Sequence, residues 1–562
     1  MATQVQFSLH IFSFLIAILL TSSTIAQDQP NIILFLADDV GYGDLSCYGH
    51  PSQVPGGIDQ LAKDGKRFTA AYVPDPNGVA SRGAILTGRL PVRIGLYGLD
   101  GEDRHTFTAT HSTGLPKTET TIAEALKEHG YATGMVGKWN LGINEETATD
   151  GSHLPKNHGF DYVGYNLPLT NSWGCGLRSS DPGGGTNSDN CFLYKNDVIV
   201  EQPFDPSGLM TKFLGNAEEF IREHKEEPFF LYFAFSNNHV TLSPSDQFSD
   251  TSPLGTYGDS TNEMNSAVTD VMDLLNDLGL RENTLVIFLS DNGPFLEMCS
   301  KAGFEGPLKG GKSTVYEGGI RIPFIVSWPG QIPAGSVSRH TVSSMDIFPT
   351  ILDVIGRPLP TGITYDGSSL KSILYEEFLM SEKWGFEIQS QMAPVHPEGL
   401  FFYSGEILTA MRFDGYKVHF RLQPQPLTTR VGFGEECTEG APLMEYYAGC
   451  REPTCFTTQQ VPTVYLIDAD VGEGFRFTNY SEIAVFDPGF ECKMMQLNFA
   501  HVSSIVRGPD LLSSTNQIAD LQPCCTLPGC PCASIGGRAS VGKPAYVIVC
   551  SVAILLWLIL SS

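Results

Sequence analysis

The residues of this sequence best suited to chemistry are acidic, and most of them follow apolar runs. Asp38-Asp39 comes after Ile32–Ala37, Asp44 lies in the next turn, and Asp291-Asn292-Gly293 comes after Leu285–Ser290. Clusters built only from oxygen donors suit a hard divalent cation such as calcium. The same residues also read as local structure, with Asp291-Asn292-Gly293 a turn and Asp38-Asp39 a helix cap. Three motifs with basic residues accompany them. They are Ala80-Ser81-Arg82-Gly83 continuing to Arg89, Gly137-Lys138-Trp139-Asn140-Leu141-Gly142, and Gly311-Lys312 continuing to Gly319.

Such motifs need a frame that brings them together. Asn31–Leu36, Phe229–Phe233 and Leu285–Leu289 are unbroken apolar runs, while Ile58, Leu61 and Ala62 repeat at helical spacing. Strands that are apolar on both sides belong in a sheet covered on both faces. The alternation predicts an α/β core with a large, mostly parallel sheet between helices, and in that class ligands gather at the carboxyl ends of the strands. The acidic motifs sit at those ends. After about Pro394 the pattern shifts to shorter strand-like pieces, Thr409–Arg412 and Tyr416–Phe420, accompanied by most of the cysteines. This predicts a smaller α+β domain with an antiparallel sheet. There is no internal repeat.

A chain of 562 residues with 42% apolar content can bury one large core and a second domain. Its formal charge of −27 gives nucleic acid no favourable general field, so an anion has to bind at a local site. Phe7–Leu20 followed by small residues up to Ala26 reads as a secretory signal peptide, with an uncleaved anchor as the alternative. Ala545–Leu560 is an apolar tail with nothing basic after it. The small residues Ser534, Gly536 and Gly537 and a polar spacer ending at Lys543 precede it, the pattern of a GPI signal, with a transmembrane helix as the other reading. Both ends therefore point to the secretory route and a membrane-attached cell-surface or extracellular location. Twelve of the thirteen cysteines lie outside the tail, an even number that suits disulfides in that compartment. The group Cys524-Cys525 with Cys530 and Cys532 reads as disulfides or as a zinc knuckle. Asn479-Tyr480-Ser481 is a glycosylation acceptor.

Taken with the basic motifs, Leu36–Leu45, Leu86–Arg93 and Tyr316–Arg321 resemble the sulfatase family, in particular its arylsulfatase A-like branch, and the likeness runs from Asn31 to Cys532. The resemblance implies an alkaline-phosphatase-like core at 27–393 and a cysteine-rich C-terminal subdomain at 394–533, with the signal peptide at 1–26 and the anchor segment at 534–562. It also implies one calcium ion held by Asp38, Asp39, Asp291 and Asn292. A sulfate group would be held by Lys138, His239 and Lys312, with Arg82 at the position that steadies a formylglycine nucleophile.

This sequence departs from the family pattern where the chemistry is done. The family reads Cys-x-Pro-Ser-Arg, with the Cys (or Ser) oxidised to formylglycine, and this chain reads Gly78-Val79-Ala80-Ser81-Arg82. Glycine has no side chain to oxidise. The family reads Gly-Lys-Trp-His where this chain has Asn140, an amide that accepts no proton near neutral pH. His239 also lacks the proline usually found two residues on. Ser81 is the obvious substitute nucleophile, but it would lie several ångströms along a helix from position 78 and has no base. The expectation is a catalytically impaired, calcium-dependent pocket for a sulfated small molecule or glycan. The rival is an active sulfuric-ester hydrolase acting on aryl sulfates, sulfated glycans or glycolipids through an unrecognised nucleophile or activated water.

Overall fold

The computed structural model describes residues 29–98, 106–169, 191–375, 393–423, 457–477 and 479–524. The expected signal peptide, the anchor segment, most of the loop from Leu167 to Cys175, and the cysteines from Cys525 onward lie wholly or mainly outside these residues. No described helix is long and apolar enough to cross a membrane.

An eleven-stranded sheet forms the centre. Its strands are β1 (Asn31–Ala37), β2 (Lys66–Tyr72), β3 (Ala132–Lys138), β4 (Tyr162–Leu167), β5 (Leu193–Lys195), β6 (Val198–Glu201), β7 (Phe229–Ala234), β8 (Thr284–Ser290), β9 (Arg321–Ser327), β10 (Ser336–Ser338) and β11 (Val342–Ser343). They run in the order β10-β2-β9-β8-β1-β7-β3-β4-β5-β6, with β11 beside β2. The middle five, β8 to β4, are parallel, and antiparallel pairings flank them on both sides. A second sheet, β12 (Leu400–Ser404), β13 (Ile407–Phe413), β14 (Tyr416–Leu422) and β15 (Thr457–Leu466), is antiparallel throughout.

Strand β1 makes the layering explicit, because successive side chains point to opposite faces of a sheet. Ile32, Leu34 and Leu36 join a core with Ile85 and Leu86 of the helix Gly78–Thr87 and Ile351 of the helix Ile347–Val354. Ile33 and Phe35 join the opposite core, with Leu61 of the helix Gly57–Asp64, Phe213 of Leu209–Glu223 and Val268 of Gly255–Asp277. Every β1 residue is buried, as an unbroken apolar run requires.

Two expectations need correction. The cysteines do not all pair, because Cys47 and Cys492 are free, while Cys191 and Cys524 are disulfide-bonded. Asp38-Asp39 does not cap a helix, since the chain bends at both residues and no helix begins there.

Candidate metal and anion site

The site stands at the carboxyl ends of the central parallel strands. Asp38 and Asp39 follow β1, Asp291 and Asn292 follow β8, Lys138 ends β3, and His239 lies five residues beyond the end of β7. Gly78 opens the helix that presents Arg82 one turn later. Lys312 arrives from the loop before β9. Three non-glycine residues around the site take left-handed backbone angles, Asp39 at φ 59°, Asn140 at 57° and Ser313 at 70°. Asp and Asn adopt that region more readily than other side chains. Strained backbone of this sort gathers where a surrounding structure enforces it.

Each carboxylate pairs with a cation, and Asp38 with two, since its Oδ1 also lies 3.4 Å from Arg82 Nη2. Lys138 Nζ donates to Asp38 Oδ2 at 2.6 Å, and Lys312 Nζ donates to Asp39 Oδ1 and Oδ2 at 2.5 and 2.8 Å. Arg82 Nε and Nη2 both lie 2.9 Å from Asp291 Oδ2, while Nη1 donates to the Lys138 carbonyl at 3.1 Å. Asn292 Nδ2 donates to Asp39 Oδ1 at 2.7 Å. His239 Nε2 is 3.9 Å from Asp39 Oδ2. Burial raises the Asp38 pKa, but Lys138, His239, Arg82 and Lys312 outweigh it and hold the carboxyl well below the usual range. For Asp291 burial wins over Arg82, and its pKa rises to about 6. Burial, followed by the charges of Lys138 and Lys312, pushes His239 down to about 4.

The donor set fits a hard divalent cation. Asp38, Asp39 and Asp291 each offer a carboxylate oxygen, and these three oxygens lie within 4.8 Å of one another. Asp38 Oδ1 and Asn292 Oδ1 are buried and accept no hydrogen bond, which makes them ready ligands for a cation that prefers oxygen. A Cβ at Gly78 would stand 2.6 Å from Asp291 Oδ2 and 3.5 Å from Asn292 Oδ1, so any side chain at this position would enter the same cradle.

Asp44 does not belong to this cluster. Its carboxylate accepts from Gly41 N at 2.5 Å, Phe304 N at 2.7 Å and Tyr257 Oη at 2.6 Å, locking the turn behind the site. The hydroxyls of the helix that Gly78 opens, Ser81 and Thr87, are also engaged elsewhere. Ser81 Oγ donates to the Asp75 carbonyl at 2.7 Å, and Thr87 Oγ1 donates back to the Gly83 carbonyl at 2.8 Å.

One set of residues escaped the sequence reading. Gln423, just after β14, accepts from Val315 N at 2.8 Å and donates to the Ser313 carbonyl at 2.7 Å, clasping the loop that carries Lys312. Glu473 accepts from Glu317 N at 2.7 Å, and the buried Lys417 bridges Glu317 and Glu473 at 3.0 and 3.3 Å. Polar residues scattered over the cysteine-rich half carry no motif that would reveal this clasp.

Comparison with known proteins agrees with this architecture. The family described as Sulfatase matches residues 30–357, and that described as the C-terminal region of aryl-sulfatase matches residues 396–532. An arylsulfatase of Hemicentrotus pulcherrimus is 43% identical over 510 residues, covering 90% of this chain and 86% of the relative. Arylsulfatase A of Homo sapiens is 35% identical over 519 residues, covering 89% and 93%. The crystal structure of a Pseudoalteromonas sp. sulfatase superposes with a TM-score of 0.67 at 26% identity, covering 88% of this chain and 95% of that one.

Proposed function

Because this chain belongs to the sulfatase family, with arylsulfatase A-like relatives along nearly its whole length, we propose that it is a cell-surface binding protein on a sulfatase frame. In this reading it has lost sulfate-ester hydrolysis and kept a calcium-dependent pocket for a sulfated small molecule or glycan. The observation that carries the proposal is Gly78, a residue without a side chain at the point from which a side chain would reach Asp291 and Asn292. Covalent catalysis needs an activated nucleophile beside a base. Gly78 supplies none, Asn140 is no base, and the hydroxyl of Ser81 is engaged with a backbone carbonyl on another side.

What remains supports binding. Asp38, Asp39, Asp291 and Asn292 would hold the cation, which when bound neutralises the carboxylates and draws an anion's oxygen towards it. Lys138, Lys312 and His239 would face that anion, and Arg82 would hold Asp291 in place. The N-terminal apolar stretch and the C-terminal tail would direct the protein to the cell surface and keep it there.

The test is hydrolysis of an aryl sulfate by the purified protein with calcium, beside a Gly78→Cys, Asn140→His double variant co-expressed with the formylglycine-generating enzyme. The wild type should lie on the order of a millionfold below a working enzyme, the scale of loss when a nucleophile is removed. The double variant should gain turnover. Wild-type hydrolysis that survives Ser81→Ala would defeat the proposal and point to directly activated water.

A further inference from the structure

The helix Phe490–Ser504 is apolar on two opposite faces. On one face Phe490 and Met494 are buried in the core of the second sheet, Leu497 packs against that core, and His501 stacks on Phe401. The other face carries Cys492, Met495, Phe499 and Val502, all exposed, with Phe499 at 75%. Val485 and Phe486 stand exposed just before the helix and Val506 just after it. Outside residues 475–506, exposed bulky apolar side chains among the described residues are scattered singly, which is ordinary for a surface. A helix that is apolar all round is normally buried all round.

The spacing of the outer face points to what covers it. Cys492, Met495, Phe499 and Val502 stand three, four and three residues apart, the repeat of a seam that pairs with another helix. A helix lying on lipid has a wider apolar face bordered by Lys and Arg. From Met494 to Val506 the chain has no Asp, Glu, Lys or Arg, in a protein of formal charge −27. Two copies repel each other over most of their surfaces, so an uncharged strip is where they can approach. Phe486 and Phe499 alone offer on the order of 300 Å². With Val485, Met495, Val502 and Val506 the strip approaches the roughly 800 Å² that a standard interface takes from each partner.

We infer that this face docks a second copy of the chain, with the two helices antiparallel about a two-fold axis. That direction opposes the helix dipoles and makes the seam self-complementary. Met495 meets the partner's Phe499, a thioether against an aromatic ring, and Cys492 meets the partner's Val502, each contact occurring twice. The inference stands apart from the calcium and sulfate reading, which it neither needs nor supports.

Sedimentation of the full chain at about 10 μM should show a dimer, the state expected for a dissociation constant of about 1 μM or below. Phe499→Asp should weaken the association at least about thirtyfold, the scale of a central aromatic anchor, and should leave the circular dichroism unchanged because the ring is exposed. Val502→Cys sets a thiol opposite the partner's Cys492. Mild oxidation with glutathione disulfide should therefore join that variant into a covalent dimer on a non-reducing gel, while the wild type stays uncrosslinked. A monomeric wild type, or a dimer that Phe499→Asp leaves intact, would overturn the inference. Ready crosslinking of the wild type through Cys492 alone would overturn the antiparallel register. Capture of a monomeric wild type by phosphatidylcholine vesicles, abolished by Phe499→Asp, would assign the face to lipid instead.

Discussion

Gly78 and Arg82 stand one helical turn apart and both face Asp291 Oδ2. A methyl group at position 78 would meet Asp291 Oδ2 at 2.6 Å, closer than a Cβ tolerates, so Asp291 has to move in a Gly78→Ala variant. Moving a ligand's support usually costs about tenfold or more in metal affinity. Gly78→Ala, which adds a Cβ but no oxygen donor in compensation, should therefore raise the calcium dissociation constant by at least about tenfold in equilibrium dialysis. An unchanged constant would mean that the cradle does not depend on Asp291. Arg82→Met removes the guanidinium that pairs with Asp291 at 2.9 Å and leaves a buried charge unpaired. Such a break costs about 3–5 kcal/mol, which urea unfolding would register. Added calcium should recover part of the loss in that variant, because the cation replaces the lost positive charge beside Asp291.

The loop that carries Lys312 depends on the second sheet as much as on its own residues. It is pinned on one side where Lys312 N donates to the Pro294 carbonyl at 2.9 Å and Ser313 N to that of Pro76 at 3.0 Å, and on the other side by Gln423. In Gln423→Ala, a buried N–H and a buried C=O lose their partners, a penalty of about 1–3 kcal/mol for each group left unsatisfied. The expected result is lower stability together with about fivefold weaker anion binding, while the calcium constant moves far less, because Asp38, Asp39 and Asp291 are held elsewhere. An anion affinity that does not change would make the clasp a purely structural contact. The strands themselves were readable in the sequence, since an apolar run such as Asn31–Leu36 can be buried on two sides only in such a sheet. The clasp was not. Gln423, Lys417 and Glu473 lie 100 to 156 residues from Ser313, Val315 and Glu317, which they hold, and a lone polar residue reads as surface until its partner is known. Asp44 misled in the opposite way, because its place in the turn after Asp38-Asp39 suggested a share in the cluster, while its three donors tie it to Gly41, Phe304 and Tyr257.

Across the molecule, buried histidines set opposing limits on stability. His158 is fully buried between Trp139 and His153, and neither of its ring nitrogens has a hydrogen-bond partner. Burial, with smaller contributions from His153 and Lys117, pushes it down to about 3. A histidine depressed in the folded state binds fewer protons there than in the unfolded chain once the pH falls below about 6.5, so stability is lost on acidification. At pH 5 the loss from His158 comes to about 2 kcal/mol. His396 pulls the other way. Burial would lower it, but Asp346 at 3.0 Å and Glu398 at 3.1 Å hold it charged and raise it to about 10. Its contribution is complete below about pH 6.5 and is lost as the pH climbs towards 10. Asp44, raised by burial to about 7, opposes His158, because its contribution is complete below about pH 4 and is lost as the pH rises towards 7. His158 and Asp44 therefore largely offset each other on the acid side, while His396 makes stability fall above about pH 6.5. Urea unfolding at about pH 5, 6.5 and 8.5 would trace this curve. His158→Phe, which replaces an unpartnered ring with an apolar one of similar shape, should recover about 2 kcal/mol of the acid loss and leave the alkaline limb unchanged. His396→Gln should flatten the alkaline limb alone. If both variants shifted the whole curve evenly, these two rings would be contributing packing, and the pH dependence would have to arise from other groups.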